Sequence, residues 1–430
     1  MSTALMTDMY ELTMLRAALA SGSADRHCGF EAFARRLPDG RRYGLVAGTG
    51  RVLDAVRAFR FGDEELSTVA DFLDAPTLDW LADFRFRGDI DGYLEGDLYF
   101  PGSPILSVRG TFAECVVLET LILSILNHDS AIASAAARMA SVKAGRTMIE
   151  MGSRRTHEEA AVAASRAAYL AGFDATSNLE AVRRHGVPGT GTSAHSFTLL
   201  HTTPDGPDEM AAFRAQVDAL GVGTTLLVDT YDIAEGVRNA IAVAGPELGA
   251  VRIDSGDLGV MARQVRAQLD SLGAPKTKIV VSGDLDEYAI AALRAEPVDA
   301  YGVGTSLVTG SGAPTAGMVY KLVEVDGIPV AKRSSHKTSR GGIKRAVRTA
   351  RPTGTFVEEI IYLEEAGEPA IPHGLTARQL VYPLVRGGET VSGLAGLDGA
   401  RRLAAESLGC LPWEGLSLTR GEPAVPTRFV

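Results

Sequence analysis

The sequence predicts an α/β fold built around an irregular TIM-like barrel of parallel strands. From Gly223 onward, four units repeat one plan: a short β-branched run, a polar or glycine-rich turn, and a segment with helical periodicity. The intervening segments, such as Leu258–Leu272 and Asp286–Ala295, place apolar residues three and four apart, as a helix covering a sheet does. Alternation of strand and helix at this spacing indicates parallel strands. The predicted strands are Thr224–Val228, Ala250–Ile253, Lys278–Val281 and Val298–Tyr301.

Two earlier segments extend this series toward the amino terminus. Thr147–Met151 and Phe173–Asn178 each lead into a polar turn, so the barrel is expected to run from about Arg146 to about Thr309. An eight-unit barrel, complete or slightly irregular, is the economical interpretation. An open doubly wound sheet is the alternative.

The flanking segments have a different character. Helices alternate with strand-like runs such as Gly44–Ala47 and Asp91–Leu98 in the first hundred residues, and Tyr320–Val325 with Ile328–Lys332 predicts a hairpin. A chain of 430 residues also exceeds what one hydrophobic core normally supports. We therefore expect residues 1–112 and 319–430 to form an outer α+β domain around a catalytic barrel of residues 113–318.

Charge and cysteine content narrow the partners and the compartment. The net charge of -10 disfavours general binding to nucleic acid or to anionic membrane, because the average surface repels both. The three cysteines, Cys28, Cys115 and Cys410, lack CxxC spacing and cannot all pair, which fits a reducing cytoplasm. Met1–Thr13 has neither a basic start nor an apolar run, so it does not resemble a signal peptide.

The most apolar window of the sequence does not resemble a membrane span. Phe112–Leu126 is interrupted by Glu114 and Glu119 and is too short to span a bilayer. The expectation is a cytoplasmic protein without a membrane partner.

Polar turns follow the predicted strands, where barrels and doubly wound folds bind their ligands. Glycines there let backbone N–H groups approach a ligand, and hydroxyls complete an anion cradle; Gly302–Ser306 suits a phosphate. The alternative is that these residues are helix caps and tight turns. The turns are Gly152-Ser153-Arg154-Arg155, Asp229-Thr230-Tyr231-Asp232, Asp254-Ser255-Gly256-Asp257, Ser282-Gly283-Asp284 and Gly302-Val303-Gly304-Thr305-Ser306.

Charged residues in these turns suggest both cation and anion binding. Asp254 with Asp284 on the next strand is a candidate for holding Mg²⁺ through water, whereas Asp257 fits a helix cap equally well. Arg154 and Arg155 end a strand and suit a phosphate or carboxylate, although adjacent side chains point oppositely and one alone would face the site.

His195 lies in the glycine-threonine loop Gly189-Thr190-Gly191-Thr192-Ser193-Ala194-His195-Ser196. A histidine in such a loop is a general base, a nucleophile or a structural residue, and the loop alone does not distinguish these roles. The chain contains no GxxxxGK[ST] motif, so any use of ATP is not of the P-loop type.

Taken in order, the motifs resemble those of nicotinate phosphoribosyltransferase, a type II phosphoribosyltransferase, from about Ala4 to about Lys344. Six pieces in one register make this resemblance specific. They are Thr7-Asp8-Met9-Tyr10-Glu11-Leu12-Thr13-Met14, Glu150-Met151-Gly152-Ser153-Arg154-Arg155, Gly191-Thr192-Ser193-Ala194-His195-Ser196, Arg252-Ile253-Asp254-Ser255-Gly256-Asp257, Ser282-Gly283-Asp284 and Gly302-Val303-Gly304-Thr305.

The resemblance implies an ATP-dependent ligase that forms nicotinate mononucleotide and pyrophosphate from nicotinate and phosphoribosyl pyrophosphate. His195 matches the histidine that this family phosphorylates, which accounts for ATP use without a P-loop. Arg252 and Arg154 are then expected to face nicotinate and the ribose phosphate. Asp254 and Asp284 are expected to face the ribose and Mg²⁺. The remaining implied binding residues are Thr192, Ser255, Gly283, Gly302, Gly304 and Thr305, with the last three near the 5′-phosphate.

The resemblance also implies a homodimer with a shared active site. Tyr10 matches a tyrosine that reaches the partner's site, with Asp8 beside it, and an aromatic ring there suits a pyridine. Similar nicotinamide enzymes have an aspartate where Ser177 aligns. Because an aspartate would repel a carboxylate, Ser177 favours nicotinate as the substrate.

Several alternatives remain at this stage. A nicotinamide or quinolinate phosphoribosyltransferase has a similar architecture, and a sugar-phosphate aldolase or isomerase would also use a phosphate turn such as Gly302–Ser306. A non-catalytic metabolite-binding protein would require the strand-end charges to be caps. The basic residues Lys337, Arg340, Lys344 and Arg345 either close over pyrophosphate or form a solvated loop.

Overall fold

A computed structural model describes residues 2–332 and 340–430 of the chain. The chain divides into unit 1, Met1–Ser134 with Ala313–Val430, and unit 2, Ala135–Gly312. The sequence had suggested boundaries at 112/113 and 318/319. The first lies later because a long helix, Glu119–Ser141, carries the chain beyond residue 112 before unit 2 begins.

The described residues contain α-helices in both units. They are α1 (Met9–Ser21), α2 (Thr49–Ala58), α3 (Asp63–Val69), α4 (Ala75–Ala82), α5 (Phe112–Val116), α6 (Glu119–Ser141), α7 (Glu158–Leu170), α8 (Leu179–His185), α9 (His195–Leu200), α10 (Glu209–Leu220), α11 (Ile233–Ala244), α12 (Leu258–Ser271), α13 (Glu287–Ala292), α14 (Thr305–Val308) and α15 (Leu397–Gly409).

The strands alternate with these helices in unit 2 and dominate unit 1. They are β1 (His27–Ala34), β2 (Gly44–Leu45), β3 (Asp89–Gly92), β4 (Leu98–Tyr99), β5 (Leu106–Thr111), β6 (Thr147–Glu150), β7 (Ala175–Thr176), β8 (Thr202–Thr203), β9 (Gly206–Pro207), β10 (Thr225–Leu227), β11 (Ala250–Ile253), β12 (Lys278–Gly283), β13 (Ala300–Val303), β14 (Met318–Val325), β15 (Ile328–Pro329), β16 (Lys344–Ala350), β17 (Phe356–Leu363), β18 (Thr376–Gln379), β19 (Tyr382–Arg386), β20 (Glu389–Thr390) and β21 (Thr427–Phe429).

Unit 2 is built on a curled parallel sheet that forms a half-barrel, which confirms the predicted α/β class. Its strand order is β10-β11-β12-β13-β6-β7, and all neighbouring pairs are parallel. A parallel bridge between Thr176 and Gly189 continues the series beyond β7. The expected eight units are not reached: the described residues form six strands of this sheet.

The last strand of the series begins later than predicted. The sequence suggested Val298–Tyr301, but β13 is Ala300–Val303, and Gly302 pairs with Ser282 inside the sheet. Asp299 lies before the strand, where its carboxylate accepts a hydrogen bond from the Ile279 N–H at 2.8 Å. The turn at this strand end therefore starts at Gly304 rather than at Gly302.

Aspartates begin several helices of unit 2. The side chains of Asp208, Asp232, Asp257 and Asp286 each accept a hydrogen bond from a backbone N–H in the first turn of α10, α11, α12 and α13. Such caps satisfy N–H groups that the helix itself leaves unpaired. Asp257 is therefore a helix cap, which was one of its two interpretations.

Unit 1 contains two main sheets. One has the order β15-β14-β1-β5-β3-β19-β20 and includes the predicted hairpin of β14 with β15; the other has the order β18-β16-β17-β21. Arg348, on β16, is fully buried between Asp97 and Glu359, at 2.7 and 2.6 Å. A buried cation is stable there because two carboxylates neutralise it.

The apolar stretch that leads into unit 2 is longer than the sequence suggested. Phe112–Ser141 is a helical stretch of 30 residues whose most apolar 18-residue window has mean hydropathy 1.4, which by length and composition alone is enough to cross a membrane. Within its most apolar window, 67% is buried inside the protein, which is typical of a core helix.

Candidate active site

The carboxyl ends of the parallel strands bring the predicted polar residues to one edge of the sheet in unit 2. Because the strands run in one direction, the residues that follow them all lie on that edge. In sheet order, the following residues include Asp229 after β10, Asp254 after β11, Asp284 after β12, Gly304 after β13, Gly152 after β6 and Ser177 after β7.

His195 begins α9, and its imidazole lies beside two residues that follow β10. Its Nε2 is 3.9 Å from Asp229 Oδ1, and its Nδ1 is 3.1 Å from Thr230 Oγ1. The His195 side chain is 40% exposed, whereas that of Asp229 is fully buried. A carboxylate beside an accessible imidazole stabilises positive charge on the ring, as a nucleophilic or proton-carrying histidine requires.

The buried carboxylate of Asp229 also fixes the neighbouring strand end. Its Oδ2 accepts hydrogen bonds from Asp254 N at 2.8 Å and Ser255 Oγ at 2.7 Å. Its Oδ1 is buried without a hydrogen-bond partner. Burying a carboxylate oxygen without a hydrogen bond costs free energy, so a donor at this position would stabilise the site. His195 Nε2 is 3.9 Å away and could become that donor after a small movement.

Arg252 points from β11 toward the loop that contains His195. Its Nη1 donates to Thr192 Oγ1 at 3.2 Å, while its Nε is buried without a partner. Burial lowers the pKa of the Arg252 guanidinium, whereas the charges of Asp254 and Asp229 oppose this effect. The positive charge of Arg154 lowers the pKa further, so the two arginines lie close enough to repel each other. This arrangement suits an anion.

The two strand-end acids expected to meet ribose and metal differ in how they are held. The Asp254 carboxylate accepts a hydrogen bond from Ser282 Oγ, which lies on the neighbouring strand β12. Both Asp254 and Asp284 are exposed. Gly283, just before Asp284, has φ +135°, a backbone conformation that side chains rarely allow. The glycine therefore sets the turn that presents Asp284.

The glycines around β13 have different structural reasons. A Cβ on Gly302 would lie 2.7 Å from Met151 Sδ, and a Cβ on Gly152 would lie 2.3 Å from Val308 Cγ1. Both positions need glycine because neighbouring side chains pack against them. Gly304, in contrast, has no neighbour closer than 3.6 Å to such a Cβ, and the following Thr305 is exposed.

Glu150 is a fully buried acid at the end of β6. Its carboxylate accepts hydrogen bonds from Gly152 N, from Thr176 Oγ1 at 2.5 Å and from Ser165 Oγ at 2.8 Å. It thereby joins the ends of β6 and β7, and the exposed Ser177 directly follows this junction.

Comparisons with known proteins identify the family of the chain. Family models match the nicotinate phosphoribosyltransferase N-terminal domain at residues 5–127 and the nicotinate phosphoribosyltransferase family at residues 147–355. A nicotinate phosphoribosyltransferase of Mycobacterium tuberculosis is 66% identical over 432 residues, covering 99% of this chain and 95% of that protein. The chain belongs to the nicotinate phosphoribosyltransferase family. The family predicted from the motifs is thus confirmed.

More distant relatives match over most of the chain. A nicotinate phosphoribosyltransferase of Bos taurus is 32% identical, covering 94% of this chain and 90% of that protein. The crystal structure of human nicotinic acid phosphoribosyltransferase superposes with TM-score 0.84 at 28% identity, covering 98% and 97% of the two chains. A nicotinate-nucleotide pyrophosphorylase from Pyrococcus furiosus, at 23% identity and TM-score 0.78 with 94% of each chain covered, shows the same fold.

The amino-terminal motif of this family member lies in unit 1, at the start of α1. Glu11 is fully buried and accepts hydrogen bonds from Thr120 N at 2.9 Å and from Thr7 Oγ1. Asp8 occupies the N-cap position without a side-chain hydrogen bond to the helix. Burial raises the pKa of Tyr10 to about 12, with the acids Glu119, Glu11 and Asp8 adding to the effect. Tyr10 therefore remains neutral, and the residue is 46% exposed.

The basic residues after β15 were expected either to close over pyrophosphate or to be solvated. Lys344 is instead buried against Glu31 at 2.7 Å, and Arg345 pairs with Glu364, all within unit 1. Both expectations are therefore wrong for these two residues. Arg340 lies 4.0 Å from the centre of the Phe429 ring. Lys337 lies outside the described residues.

Two residues of the site were missed from the sequence. Asp229 was noted only as part of a turn, although it follows β10 just as Asp254 follows β11, and this shared position was the available signal. Glu150 belongs to a family motif, but nothing local to the sequence indicates its bonds to Ser165 and Thr176.

Proposed function

We propose that the chain joins nicotinate to phosphoribosyl pyrophosphate, forming nicotinate mononucleotide and pyrophosphate, and couples this reaction to ATP hydrolysis through a phosphorylated His195. The observation that carries the ATP-dependent part is the placement of an accessible His195 imidazole 3.9 Å from the buried Asp229 carboxylate. Membership of the nicotinate phosphoribosyltransferase family supports the overall reaction.

In the proposed first step, a nitrogen of His195 attacks the γ-phosphorus of ATP. A P–N bond forms as the P–O bond to ADP breaks, and ADP leaves with the electron pair. The ring becomes positively charged, and Asp229 stabilises that charge across 3.9 Å. Water later hydrolyses the P–N bond, which returns the free imidazole and releases phosphate.

At the ribose, the ring nitrogen of nicotinate forms a bond to C1 as the bond from C1 to pyrophosphate breaks. Positive charge develops on the sugar and negative charge on the leaving group, so the step depends on neutralising pyrophosphate. Arg252 and the nearby Arg154 supply fixed positive charge for the anionic groups. The carboxylate of Asp254, oriented by Ser282, is available to ribose hydroxyls.

Asp254 and Asp284 are the residues proposed to hold Mg²⁺. In the described part of the chain, no group of three or more His, Cys, Asp or Glu side chains is arranged to bind a metal by itself. Mg²⁺ commonly takes only one or two carboxylates together with water and substrate phosphates, so two exposed acids on adjacent strands fit it. When bound, the ion would neutralise part of the pyrophosphate charge.

The 5′-phosphate is assigned to the turn at Gly304 and Thr305. Gly304 leaves space for close approach of a ligand, and the Thr305 hydroxyl is exposed. Gly302, also expected to bind substrate, contributes through packing against Met151 instead. Three further residues act through neighbouring groups of the site. Thr192 accepts a hydrogen bond from Arg252, and Ser255 donates one to Asp229. Gly283 sets the turn that presents Asp284.

The remaining assignments concern assembly and location. We infer a cytoplasmic homodimer in which Tyr10 and Asp8 reach the partner's site. Exposed apolar side chains around the start of α1 support an intermolecular contact. They are Leu5, Met6, Met9, Tyr10 and Met14.

The reaction is tested by incubating the full chain with phosphoribosyl pyrophosphate, Mg²⁺, ATP and either nicotinate or nicotinamide. Mononucleotide is expected from nicotinate. Absence of product from both pyridines would overturn the assigned reaction. Ser177→Asp should reduce kcat/KM for nicotinate by about tenfold or more, because it places a carboxylate near the substrate's own. If Ser177→Asp leaves the ratio of kcat/KM for nicotinate to that for nicotinamide unchanged, Ser177 does not belong to the substrate site.

The phosphohistidine is tested with γ-labelled ATP. Acid-labile label on the protein should disappear in His195→Ala. His201→Ala is the matched control because His201 lies in the same segment but contacts the Phe197 carbonyl at 2.9 Å. Label retained by His195→Ala would assign the phosphoryl group to another residue.

A further inference from the structure

Two polar turns of the candidate active site are joined by a network of hydrogen bonds within unit 2. The first turn, Ser153–Arg155, comes after β6, and the second turn, formed by Ser177 and Asn178, comes after β7. Because β6 and β7 are parallel neighbours, with Glu150 paired to Thr176, both turns leave the sheet at the same edge. The hydrogen bonds between them lie at two depths.

The deeper bonds centre on Glu150, which is fully buried. Thr176 Oγ1 donates to the Glu150 carboxylate at 2.5 Å and accepts a hydrogen bond from Asn178 N at 3.0 Å. The Glu150 carbonyl oxygen accepts from Ser177 N at 2.9 Å, and its carboxylate also accepts from Gly152 N. These bonds fix the backbone at the start of each turn.

A further contact, nearer the surface, joins the two turns through their side chains. Asn178 Nδ2 donates to Ser153 Oγ at 2.9 Å, while Asn178 Oδ1 accepts from Ala181 N at 2.9 Å and thereby caps α8. The cap needs only the oxygen, since aspartate and serine, which lack an amide nitrogen, also cap helices well. The bond from Nδ2 to Ser153 is therefore additional to the cap.

The two side chains of this contact adjoin residues assigned to substrate binding. Arg154 directly follows Ser153, and Ser177 directly precedes Asn178; both Arg154 and Ser177 are exposed. A carboxylate that meets a hydroxyl from one turn and a positive charge from the other is bound well only when the separation of the two turns is fixed. Groups held in place before binding lose less freedom when the ligand arrives.

We infer that Asn178 is a positioning residue for the pyridine carboxylate: by bonding Ser153, it holds the Ser177 hydroxyl against the Arg154 turn. The inference rests on the proposed function, because it takes nicotinate as the ligand. Asn178 acts through its neighbours and does not itself touch the substrate. Loss of one neutral hydrogen bond of this kind corresponds to about a fivefold loss of affinity.

Steady-state kinetics of Ser153→Ala and Asn178→Ser test this role, since each variant removes the contact and a serine at position 178 still caps α8. The KM for nicotinate should rise about fivefold in each variant, while kcat and the KM for phosphoribosyl pyrophosphate change by less than about twofold. The double variant should show about the same rise as either single variant, because both lose one shared bond.

Ser271→Ala is the matched control. It also removes a serine hydroxyl of unit 2, one that donates to the Gln268 carbonyl oxygen at 2.7 Å in the last turn of α12. The KM for nicotinate should be unchanged in this variant. A thermal melt shows whether each variant is folded, and if one of the two test variants does not fold, the other carries the test.

An unchanged KM for nicotinate in the folded test variants would overturn the positioning role. An equal rise in Ser271→Ala would overturn it too, as would a rise in the double variant equal to the product of the single rises. Absence of mononucleotide from the wild-type chain would instead overturn the proposed function and, with it, this inference. The two failures are therefore distinguishable.

Discussion

Two buried aspartates, Asp97 in unit 1 and Asp229 in unit 2, show how the two units use charge. Asp97 Oδ1 accepts from Arg348 at 2.7 Å, and its Oδ2 accepts from Arg378 at 2.8 Å. Burial alone would raise the pKa of Asp97, but these two arginines hold it below its usual range. Asp229 instead has one oxygen bonded and one without a partner. The first carboxylate completes a structural network, whereas the second keeps one oxygen unpaired beside His195, where we propose that it assists the reaction.

The largest expected effect comes from breaking the structural network. Arg348→Leu leaves Glu359 and Asp97 without their shared buried cation, so we expect the free energy of unfolding to fall by about 3–5 kcal/mol. Denaturant unfolding of the wild-type chain and the variant measures this change in the free energy of unfolding. Arg351→Leu, at an exposed position just past β16, should change stability by less than about 0.5 kcal/mol. Similar effects of both substitutions would contradict a specific role for the network.

Asp229→Asn is expected to lower activity while the protein stays folded, whereas Arg348→Leu is expected to lower stability. Loss of the negative charge beside His195 should reduce kcat about a hundredfold, roughly 2.7 kcal/mol. Steady-state kinetics and a thermal melt together separate the two effects. Asp257→Asn is the control, since asparagine also caps helices well and kcat should be retained. If Asp229→Asn loses stability in proportion to activity, Asp229 is structural like Asp97.

A smaller effect distinguishes packing from ligand binding at two glycines. Gly302→Ala places a Cβ 2.7 Å from Met151 Sδ and should destabilise the chain by about 1–3 kcal/mol. Gly304→Ala meets only ordinary contacts, so its stability should be nearly unchanged while KM for phosphoribosyl pyrophosphate rises. Melting curves and KM measured on both variants check this. A rise in KM for Gly302→Ala alone would return the phosphate contact to Gly302.

The sequence predicted most of what depends on local pattern. β11 was predicted with its correct ends, because its apolar run stops at Asp254. Asp254 and Asp284 follow strand ends, as the sequence pattern predicted, and His195 lies beside the residues that follow β10. Gly302 was misplaced because a glycine inside a strand looks the same in sequence as a glycine in the next turn.

Features that depend on distant parts of the chain were harder to predict. Lys344 and Arg345 look like a solvated or ligand-binding cluster until Glu31 and Glu364 are brought beside them. The partnerless oxygen of Asp229 likewise depends on where Asp254, Ser255 and His195 meet. The number of strands was overestimated because the repeat shows the type of unit more clearly than where the series stops.

The insertion of unit 2 within unit 1 also sets the order in which the sheets can form during synthesis. In unit 1, β1 pairs early with β5 on one side, but its other partner, β14, is made only after all of unit 2. Until then β1 presents an open strand edge, which is prone to pairing with other chains. A chain truncated between residues 312 and 318 would therefore contain every strand of the half-barrel but lack β14, which leaves its first sheet open to aggregation.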